Sequence, residues 1–150
     1  MEMYNDYIAT STALFRSTPV TRVEFSEKVF YGDPRCKTFA VIDDLDGMLA
    51  GYCSIGLFRP GQQYRNTAKI SIYFRPQYTG KGLGGLALKH AEAHARAAGF
   101  HSIIAGISSE NSASIKLFER NGYEHVARLR EIGWKFGRFI DFIYCQKILS

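Results

Sequence analysis

Four glycines lie between a predicted strand and a predicted helix near the middle of the chain, in the run Gly80-Lys81-Gly82-Leu83-Gly84-Gly85. The strand, Ile70-Ser71-Ile72-Tyr73-Phe74, is β-branched or aromatic at every position but one. Past the glycines, apolar residues recur at helical spacing as far as Ala98. Bare backbone N–H groups at the start of a helix attract oxyanions, because the helix dipole favours negative charge there. The sequence therefore predicts a site for a phosphate-bearing ligand.

The composition is that of a single globular domain spanning residues 1–150. With 46% hydrophobic and 22% charged residues, the chain can bury one core. Its apolar runs are shorter than the ~20 residues that a membrane span needs, and its first residues lack a signal-peptide pattern. The net charge of +5 suits a polyanionic ligand, but the basic residues are scattered, which disfavours nucleic-acid binding.

Three cysteines, Cys36, Cys53 and Cys145, share no metal-ligand spacing. An odd number of cysteines without such spacing is typical of an intracellular protein with reduced thiols. We therefore expect partly buried free thiols, a cytoplasmic location and no metal site.

The order of the predicted elements indicates an α/β domain with a mixed sheet. In chain order they are helices over 1–9 and 21–31, strands over 37–42 and 49–57, the central strand–loop–helix, a strand over 102–107, a helix through 115–118 and two strands within 123–149. The last two strands are expected to turn near Gly133 and Gly137, with the basic residues of 128–138 in solvent. On the central helix, Glu92 and Arg96 are expected to pair on the exposed side.

Three phosphate-binding motifs are candidates for the glycine loop. The Walker-type loop, G-x-x-x-x-G-K-S/T, does not occur in the sequence. Gly80, Gly82 and Gly85 do match the dinucleotide fingerprint G-x-G-x-x-G, and Glu110 lies at the end of the next strand. A dinucleotide domain, however, carries its fingerprint on the first strand and continues through several strand–helix units. Only one such unit follows here, so we disfavour a dinucleotide.

The third motif is the acyl-CoA loop of the GNAT N-acetyltransferases. Residues 79–84 (Thr-Gly-Lys-Gly-Leu-Gly) resemble the pyrophosphate loop of that superfamily, Gln/Arg-x-x-Gly-x-Gly/Ala, and residues 110–123 resemble its Asn-to-Gly-Phe segment. Further segments look like the phosphinothricin N-acetyltransferase branch, namely residues 10–16, 58–60, 64–65 and 133–141. The resemblance runs from about residue 4 to residue 146.

The resemblance implies a GNAT-like fold, with a mostly antiparallel mixed sheet around a central strand–helix–strand acyl-CoA site. It also implies an N-acetyltransferase that moves an acetyl group from acetyl-CoA to the amino group of a small amino-acid-like acceptor, of the phosphinothricin or methionine sulfone type. In such enzymes the amine is acylated directly, without a covalent enzyme intermediate. We expect a homodimer and no metal cofactor.

The same resemblance assigns two sets of site residues. Those expected to bind acetyl-CoA are Ile72, Tyr73, Phe74, Thr79, Gly80, Lys81, Gly82, Leu83, Gly84, Gly85 and Asn111. Those expected to bind the acceptor are Arg16, Phe58, Arg59 and Tyr64. A backbone N–H near Phe74 is expected to polarise the thioester oxygen.

Four departures from the family pattern affect these expectations. Lys69 stands where the family usually carries a glutamate general base, and a lysine is ordinarily protonated at neutral pH. Phe118 stands where relatives carry His or Tyr as an acid for the leaving thiolate, and Thr79 replaces the usual Gln or Arg of the loop. The family's first strand has no counterpart, which would leave a sheet edge open to pairing with a second chain.

The sequence therefore leaves the catalytic residue open. Tyr64, Tyr73 and Tyr144 are candidates to take the proton from the amine, and so is a chain of water molecules. The alternative function is a catalytically weak, acyl-CoA-binding regulatory module. Lys69 and Phe118 favour that alternative, whereas the retained acceptor residues oppose it.

Overall fold

The computed structural model describes residues 1–149. Within them the helices are α1 Glu2–Thr10, α2 Arg22–Val29, α3 Leu83–Ala97 and α4 Ser112–Arg120. The strands are β1 Lys37–Ile42, β2 Leu49–Leu57, β3 Thr67–Phe74, β4 Ser102–Ser108, β5 Glu124–Lys135 and β6 Arg138–Ile148. Short 3-10 helices lie at Gln62–Tyr64 and Pro76–Tyr78. Each predicted helix and strand is present, and β1 and β2 have the predicted bounds.

One sheet contains these strands in the order β1-β2-β3-β4-β6-β5. The pair β3 and β4 is parallel, and every other neighbouring pair is antiparallel. A parallel pair needs a crossover connection, and α3 supplies it. The unit β3–α3–β4 therefore lies at the centre of the sheet, and the predicted fold class is confirmed.

Helices cover both faces of the sheet. On one face, α3 and α4 bury Leu88, Ala91 and Phe118 against the central strands. On the other face, α1 and α2 pack around Tyr52 of β2 and Tyr73 of β3. Because β2 is covered on both faces, its residues from Ala50 to Gly56 are all buried rather than alternately buried.

The expected pair of Glu92 and Arg96 on the exposed side of α3 is wrong. Glu92 is 6% exposed, and its Oε2 lies 2.7 Å from Lys147 Nζ on β6. Arg96 instead donates from Nε to the carbonyl of Leu149 at 3.1 Å. Glu92 faces the sheet because it lies four residues after Leu88, within the buried stripe of the helix.

β5 and β6 form a long hairpin whose outer strand, β5, is an edge of the sheet. The connection Phe136-Gly137 has positive φ at both residues, 52° and 74°, which matches the twist of a tight hairpin turn. The expected turn near Gly137 is confirmed, whereas Gly133 lies within β5. The expectation of a solvated hairpin holds for most of β5, but it is wrong for Lys135, which is buried.

The three cysteines are free thiols, and all three are buried. Among residues 1–149, no helix is long and apolar enough to cross a membrane. The same part of the chain contains no group of three His, Cys, Asp or Glu side chains that could hold a metal ion.

Candidate active site

The central parallel pair of strands separates part-way along its length. The ladder between β3 and β4 ends at the pair Ile70 and Ala105. Beyond that point β3 remains paired with β2, and β4 remains paired with β6. A cleft therefore opens between residues 71–74 and residues 106–108. Gly106 is exposed although β4 is an interior strand, so this cleft is accessible to solvent.

Backbone donors of β3 face the cleft. Tyr7 Oη on α1 donates to the carbonyl of Phe74 at 2.7 Å, whereas the next N–H, that of Arg75, donates to Ala50 on β2 at 2.8 Å. Successive residues of a strand point their N–H and C=O groups to alternate sides. Phe74, and Ile72 two residues before it, therefore direct their N–H groups away from β2 and towards the cleft.

The glycine loop leads directly into α3. Gly80 and Gly82 have φ of 74° and 78°, and Gly82 is the N-cap of the helix. A Cβ at either position would meet no other atom of the described residues within 4 Å, so the space beside the loop is open. Leu83, Gly84 and Gly85 form the first turn of the helix, which contains no acidic residue. Their N–H groups and the helix dipole can therefore act together on an anion.

Other residues expected at the loop have structural contacts. Thr79 Oγ1 donates to the carbonyl of Pro76 at 2.7 Å, which stabilises the short helix before the loop. Lys81 is exposed, and its Nζ lies 5.4 Å from the centre of the Tyr78 ring. Asn111 Oδ1 accepts a hydrogen bond from the N–H of Ser114 at 3.1 Å, so Asn111 caps α4. Contact of these residues with a cofactor stays a prediction.

A row of aromatic rings crosses the α1–α2 face of the sheet beside the cleft. Neighbouring ring centres are 5.2 to 6.4 Å apart. We call this row the aromatic wall, and in order it consists of Phe15, Phe142, Tyr144, Phe58 and Tyr64. The structure thus brings together Phe58, Tyr64 and Tyr144, three candidate site residues that the sequence analysis named.

Phe15 and Phe142 had not been singled out as site residues. Two glycines make room for them: a Cβ at Gly106 would lie 2.6 Å from the Phe142 ring, and one at Gly133 would lie 2.8 Å from the Phe15 ring. The sequence carried one weak signal, because Phe142 and Tyr144 lie two residues apart and hence on the same face of β6.

The predicted acceptor-binding arginines have different environments. Arg16 Nη2 lies 2.9 Å from Glu24 Oε1, and its Nε donates to the carbonyl of Thr18. Glu24 also takes part in the capping box of α2, so Arg16 fastens the α1–α2 loop to that helix. Arg59 is exposed, and its guanidinium lies 5.3 Å from the centre of the Phe58 ring.

Lys69 lies on β3 one residue before the last pair of the parallel ladder. It pairs across the sheet with Gly56 of β2 and Ile104 of β4. By strand alternation its side chain is on the same face as Ser71 and Tyr73, which is the face of the aromatic wall. Lys69 is exposed, so it borders the open part of this face rather than the core.

The phenyl side chain of Phe118 has no proton to donate to the leaving thiolate. Its ring is 3% exposed and packs against Tyr123 at 4.9 Å, within the core on the α3–α4 face.

Among the tyrosine candidates, Tyr73 contacts Tyr4, Tyr7 and Tyr52, and burial raises its pKa. A phenol with a raised pKa stays protonated at neutral pH, so Tyr73 is unsuited to act as a base.

A buried lysine fixes the loop that carries Phe15. Lys135 Nζ donates to the carbonyl oxygens of Ile8, Ser11 and Leu14 at 2.6, 2.7 and 2.6 Å. These carbonyls belong to the end of α1 and the residues that follow it, where backbone acceptors lack helical partners. Burial lowers the pKa of Lys135. No local sequence pattern predicts these contacts, since they join residues more than 120 positions apart.

The fold and the cleft together define an acyltransferase that uses an acyl thioester of CoA. A glycine loop at a helix N-terminus lies beside two separating parallel strands, and the aromatic wall adjoins them. Comparisons with known proteins agree with this class.

Residues 1–123 match the Acetyltransferase (GNAT) family. The chain is 36% identical over 149 residues to the L-methionine sulfoximine/L-methionine sulfone acetyltransferase of Pseudomonas aeruginosa, covering 97% of this chain and 85% of that protein. It is 32% identical to the L-amino acid N-acyltransferase MnaT of Escherichia coli, with 97% and 84% covered. A crystal structure of a phosphinothricin acetyltransferase from Sinorhizobium meliloti with AcCoA superposes with a TM-score of 0.90 at 28% identity, covering 99% and 80%. The chain belongs to the GNAT family of acetyltransferases.

Replacing Gly82 by Val is expected to weaken CoA binding at least about tenfold, or ~1.4 kcal/mol. A β-branched residue is strained at a φ of 78° and would distort the loop whose N–H groups face the ligand. Gly99 is a matched control, with a φ of 83° at the far end of α3. Calorimetry should show reduced CoA affinity for Gly82→Val and unchanged CoA affinity for Gly99→Val. Equal affinities in the two variants would contradict the site.

Replacing Lys135 by Met is expected to lower the free energy of unfolding by ~2–4 kcal/mol, because three carbonyls lose their donor. The α1–α2 loop should also become less ordered, so the KM for the acceptor should rise while CoA affinity is retained. Lys116→Met, at an exposed position on α4, is the control. Denaturant unfolding and steady-state kinetics test both effects. An unchanged acceptor KM would mean that Lys135 does not position this loop.

Proposed function

We propose that this protein transfers the acetyl group of acetyl-CoA to the α-amino group of a small amino-acid-like acceptor. The observation that carries the proposal is the separation of β3 and β4 beside the glycine loop, with the aromatic wall on one face of the opening. The names of the relatives support an acceptor that resembles an amino acid. Their similarity extends over nearly the whole chain, including the acceptor face.

The residues present fit a CoA thioester. The space beside Gly80 and Gly82 is open, and the first turn of α3 offers N–H groups for a pyrophosphate. The N–H groups of Ile72 and Phe74 can bind the amides and the acyl carbonyl of an extended ligand in the cleft. Acetyl-CoA supplies an activated acetyl group: the acceptor nitrogen bonds to its carbonyl carbon, the carbon–sulfur bond breaks and the amine proton goes to water. CoA leaves as the thiolate, which takes a proton from water to become the thiol.

The chain contributes mainly position and polarisation. Holding an amine against a thioester can supply several orders of magnitude in rate without a strong base. The Phe74 N–H, fixed because its own carbonyl is bound by Tyr7, is placed to stabilise negative charge on the acyl oxygen. The aromatic wall limits where the acceptor can lie.

Proton removal is assigned to solvent. Lys69 is no base while it is charged, but a positive charge near the acceptor favours the neutral amine over the ammonium. The neutral amine is the nucleophile, so the enzyme selects acceptor molecules that have already lost their proton. Tyr144 and Tyr64, on the aromatic wall, can hydrogen-bond to the water molecule that takes up the amine proton.

The test is amine-dependent release of CoA from acetyl-CoA across a panel of amino acids and pH values. With no carboxylate base, kcat/KM should rise about tenfold per pH unit up to the pKa of the acceptor's own amine. A plateau that begins well below that pKa would reveal a base on the protein. Absence of amine-dependent CoA release, with CoA still bound, would overturn the proposal in favour of an acyl-CoA-binding regulatory module.

We also propose that the protein is a cytoplasmic homodimer that associates through the β5–β6 hairpin. Its outer strand is an edge of the sheet, and apolar side chains are exposed along the hairpin: Val126, Ile132, Trp134, Phe136 and Phe139. Trp134 and Phe139 stack edge-to-face at 4.7 Å and are about 60% exposed. Exposed aromatic residues on a strand edge favour burial against a second copy.

Sedimentation at micromolar concentration should give about twice the 16.9 kDa mass of one chain. Trp134→Glu should shift the protein towards the monomer, because a carboxylate would be buried in the interface. Leu45→Glu is the control, since Leu45 is also an exposed apolar residue but lies in the β1–β2 turn. A monomeric wild type, or a dimer insensitive to Trp134→Glu, would contradict this interface.

A further inference from the structure

We propose that Asp46, in the turn between β1 and β2, is a positioning residue for the acetyl-CoA site and acts through Tyr78. The hydroxyl of Tyr78 donates to Asp46 Oδ2 at 2.9 Å, and the two residues are 32 positions apart in the chain. The inference rests on the proposed function, because the glycine loop that follows Tyr78 is the segment proposed to bind the pyrophosphate of acetyl-CoA. We call this hydrogen bond the Asp46–Tyr78 contact.

Tyr78 is the fixed point from which the glycine loop begins. It ends the short 3-10 helix Pro76–Tyr78, and a single residue, Thr79, separates it from Gly80. Gly80 and Gly82 both have positive φ, and glycine restricts its own backbone less than any other residue. The position of the loop therefore depends on the residues that hold its two ends.

One small apolar cluster holds both ends of the loop. Tyr78 is 6% exposed and packs with Ala50 of β2 and Phe74 of β3. Leu83, the first residue of α3, packs against the same cluster. Apolar packing is non-directional, so the hydrogen bond at the far end of the Tyr78 ring supplies the directional contact that fixes its tilt.

Asp46 is a rigid acceptor because its own turn holds it. Its Oδ1 accepts from the N–H of Met48 at 2.8 Å, which leaves Oδ2 for Tyr78. The N–H of Gly47 donates to the carbonyl of Asp43 at 2.8 Å, and the N–H of Asp43 donates to the carbonyl of Met48 at 2.9 Å. One carboxylate oxygen of Asp46 thus serves the turn and the other serves Tyr78, so the turn is joined directly to the start of the glycine loop.

Tyr78 also places the single charged residue of the loop, Lys81. Lys81 Nζ lies 5.4 Å from the centre of the Tyr78 ring, within the range of a cation–π interaction. The hydrogen bond to Asp46, together with burial, raises the pKa of Tyr78, so the phenol keeps its proton at neutral pH and stays a donor. Asp46 therefore acts on the ring beside Lys81 as well as on the backbone that leads to Gly80.

Simple electrostatics predicts the opposite effect of Asp46 on CoA binding. The turn carries three acids, Asp43, Asp44 and Asp46, and negative charge near an anion-binding loop disfavours an anionic ligand. Removing the charge at position 46 would then tighten CoA binding. Positioning through Tyr78 predicts weaker binding instead, so the direction of the change decides between the two.

Tyr78→Phe removes the Asp46–Tyr78 contact and keeps the ring and the net charge. Calorimetry should show CoA affinity reduced about three- to tenfold, the order expected for a lost hydrogen bond to a charged group. Asp46→Asn should reduce it to a similar extent, because an amide has one acceptor oxygen where the donors of both Met48 and Tyr78 must be met. Asp44→Asn removes the same charge from an exposed position in the same turn and should not weaken binding.

Two further measurements separate positioning from loss of structure. The double variant Tyr78→Phe/Asp46→Asn should lose no more CoA affinity than the weaker-binding single variant, because both changes remove one contact. In steady-state kinetics the KM for acetyl-CoA should rise, while kcat and the KM for the acceptor stay within about twofold of wild type. Thermal unfolding shows whether each variant is folded, and if Tyr78→Phe does not fold, Asp46→Asn carries the test from an exposed position.

Unchanged CoA affinity in both single variants, tighter binding by Asp46→Asn, or additive losses in the double variant would overturn the inference. An equal loss in Asp44→Asn would also overturn it, since that residue is not part of the contact. Amine-dependent release of CoA is measured separately. CoA binding that is sensitive to both variants, without transfer to any amine, would reject the proposed function alone. Transfer with CoA affinity unchanged in both variants would reject this inference alone.

Discussion

The early end of the parallel ladder between β3 and β4 is the constraint on which the site depends. Past Ile70 and Ala105, each strand follows a different antiparallel partner, and the backbone groups of β3 that face the gap lose their neighbours. Buried peptide groups need hydrogen-bond partners. Tyr7 satisfies the Phe74 carbonyl, and the N–H groups on the same side are available to a ligand. The gap between β3 and β4 thus exposes backbone N–H groups whose positions are fixed by the sheet.

The α1–α2 face of the sheet beside the cleft owes its shape to contacts between distant parts of the chain. Lys135 on β5 holds the carbonyls that follow α1, and Arg16 ties the same loop to the capping box of α2. Phe15, carried between these two attachments, meets Phe142 at 5.5 Å. Because a loop has few packing contacts of its own, its position is decided by these two cations and the carbonyls and carboxylate that they bind.

The charge at Lys69 gives the cleft an electrostatic character that differs from one built around a carboxylate base. A carboxylate attracts an ammonium and can remove its proton, whereas a lysine repels the ammonium and attracts anions. The proposed catalysis by position and polarisation needs the Phe74 N–H and the cleft walls rather than a base.

The sequence by itself determined the elements and the location of the glycine loop. Strand composition, helical periodicity and the glycines at 80 and 82 are local properties, and the positive φ at both glycines is a backbone state that other residues rarely adopt. Only the tertiary structure decided that Glu92 pairs with Lys147, that Lys135 is buried and that Phe15 joins the aromatic wall. Each of these depends on which surfaces meet when strands far apart in the chain pair. Local sequence patterns do not carry that information, because a charged residue has the same local propensity whether or not a distant carbonyl or carboxylate comes to face it.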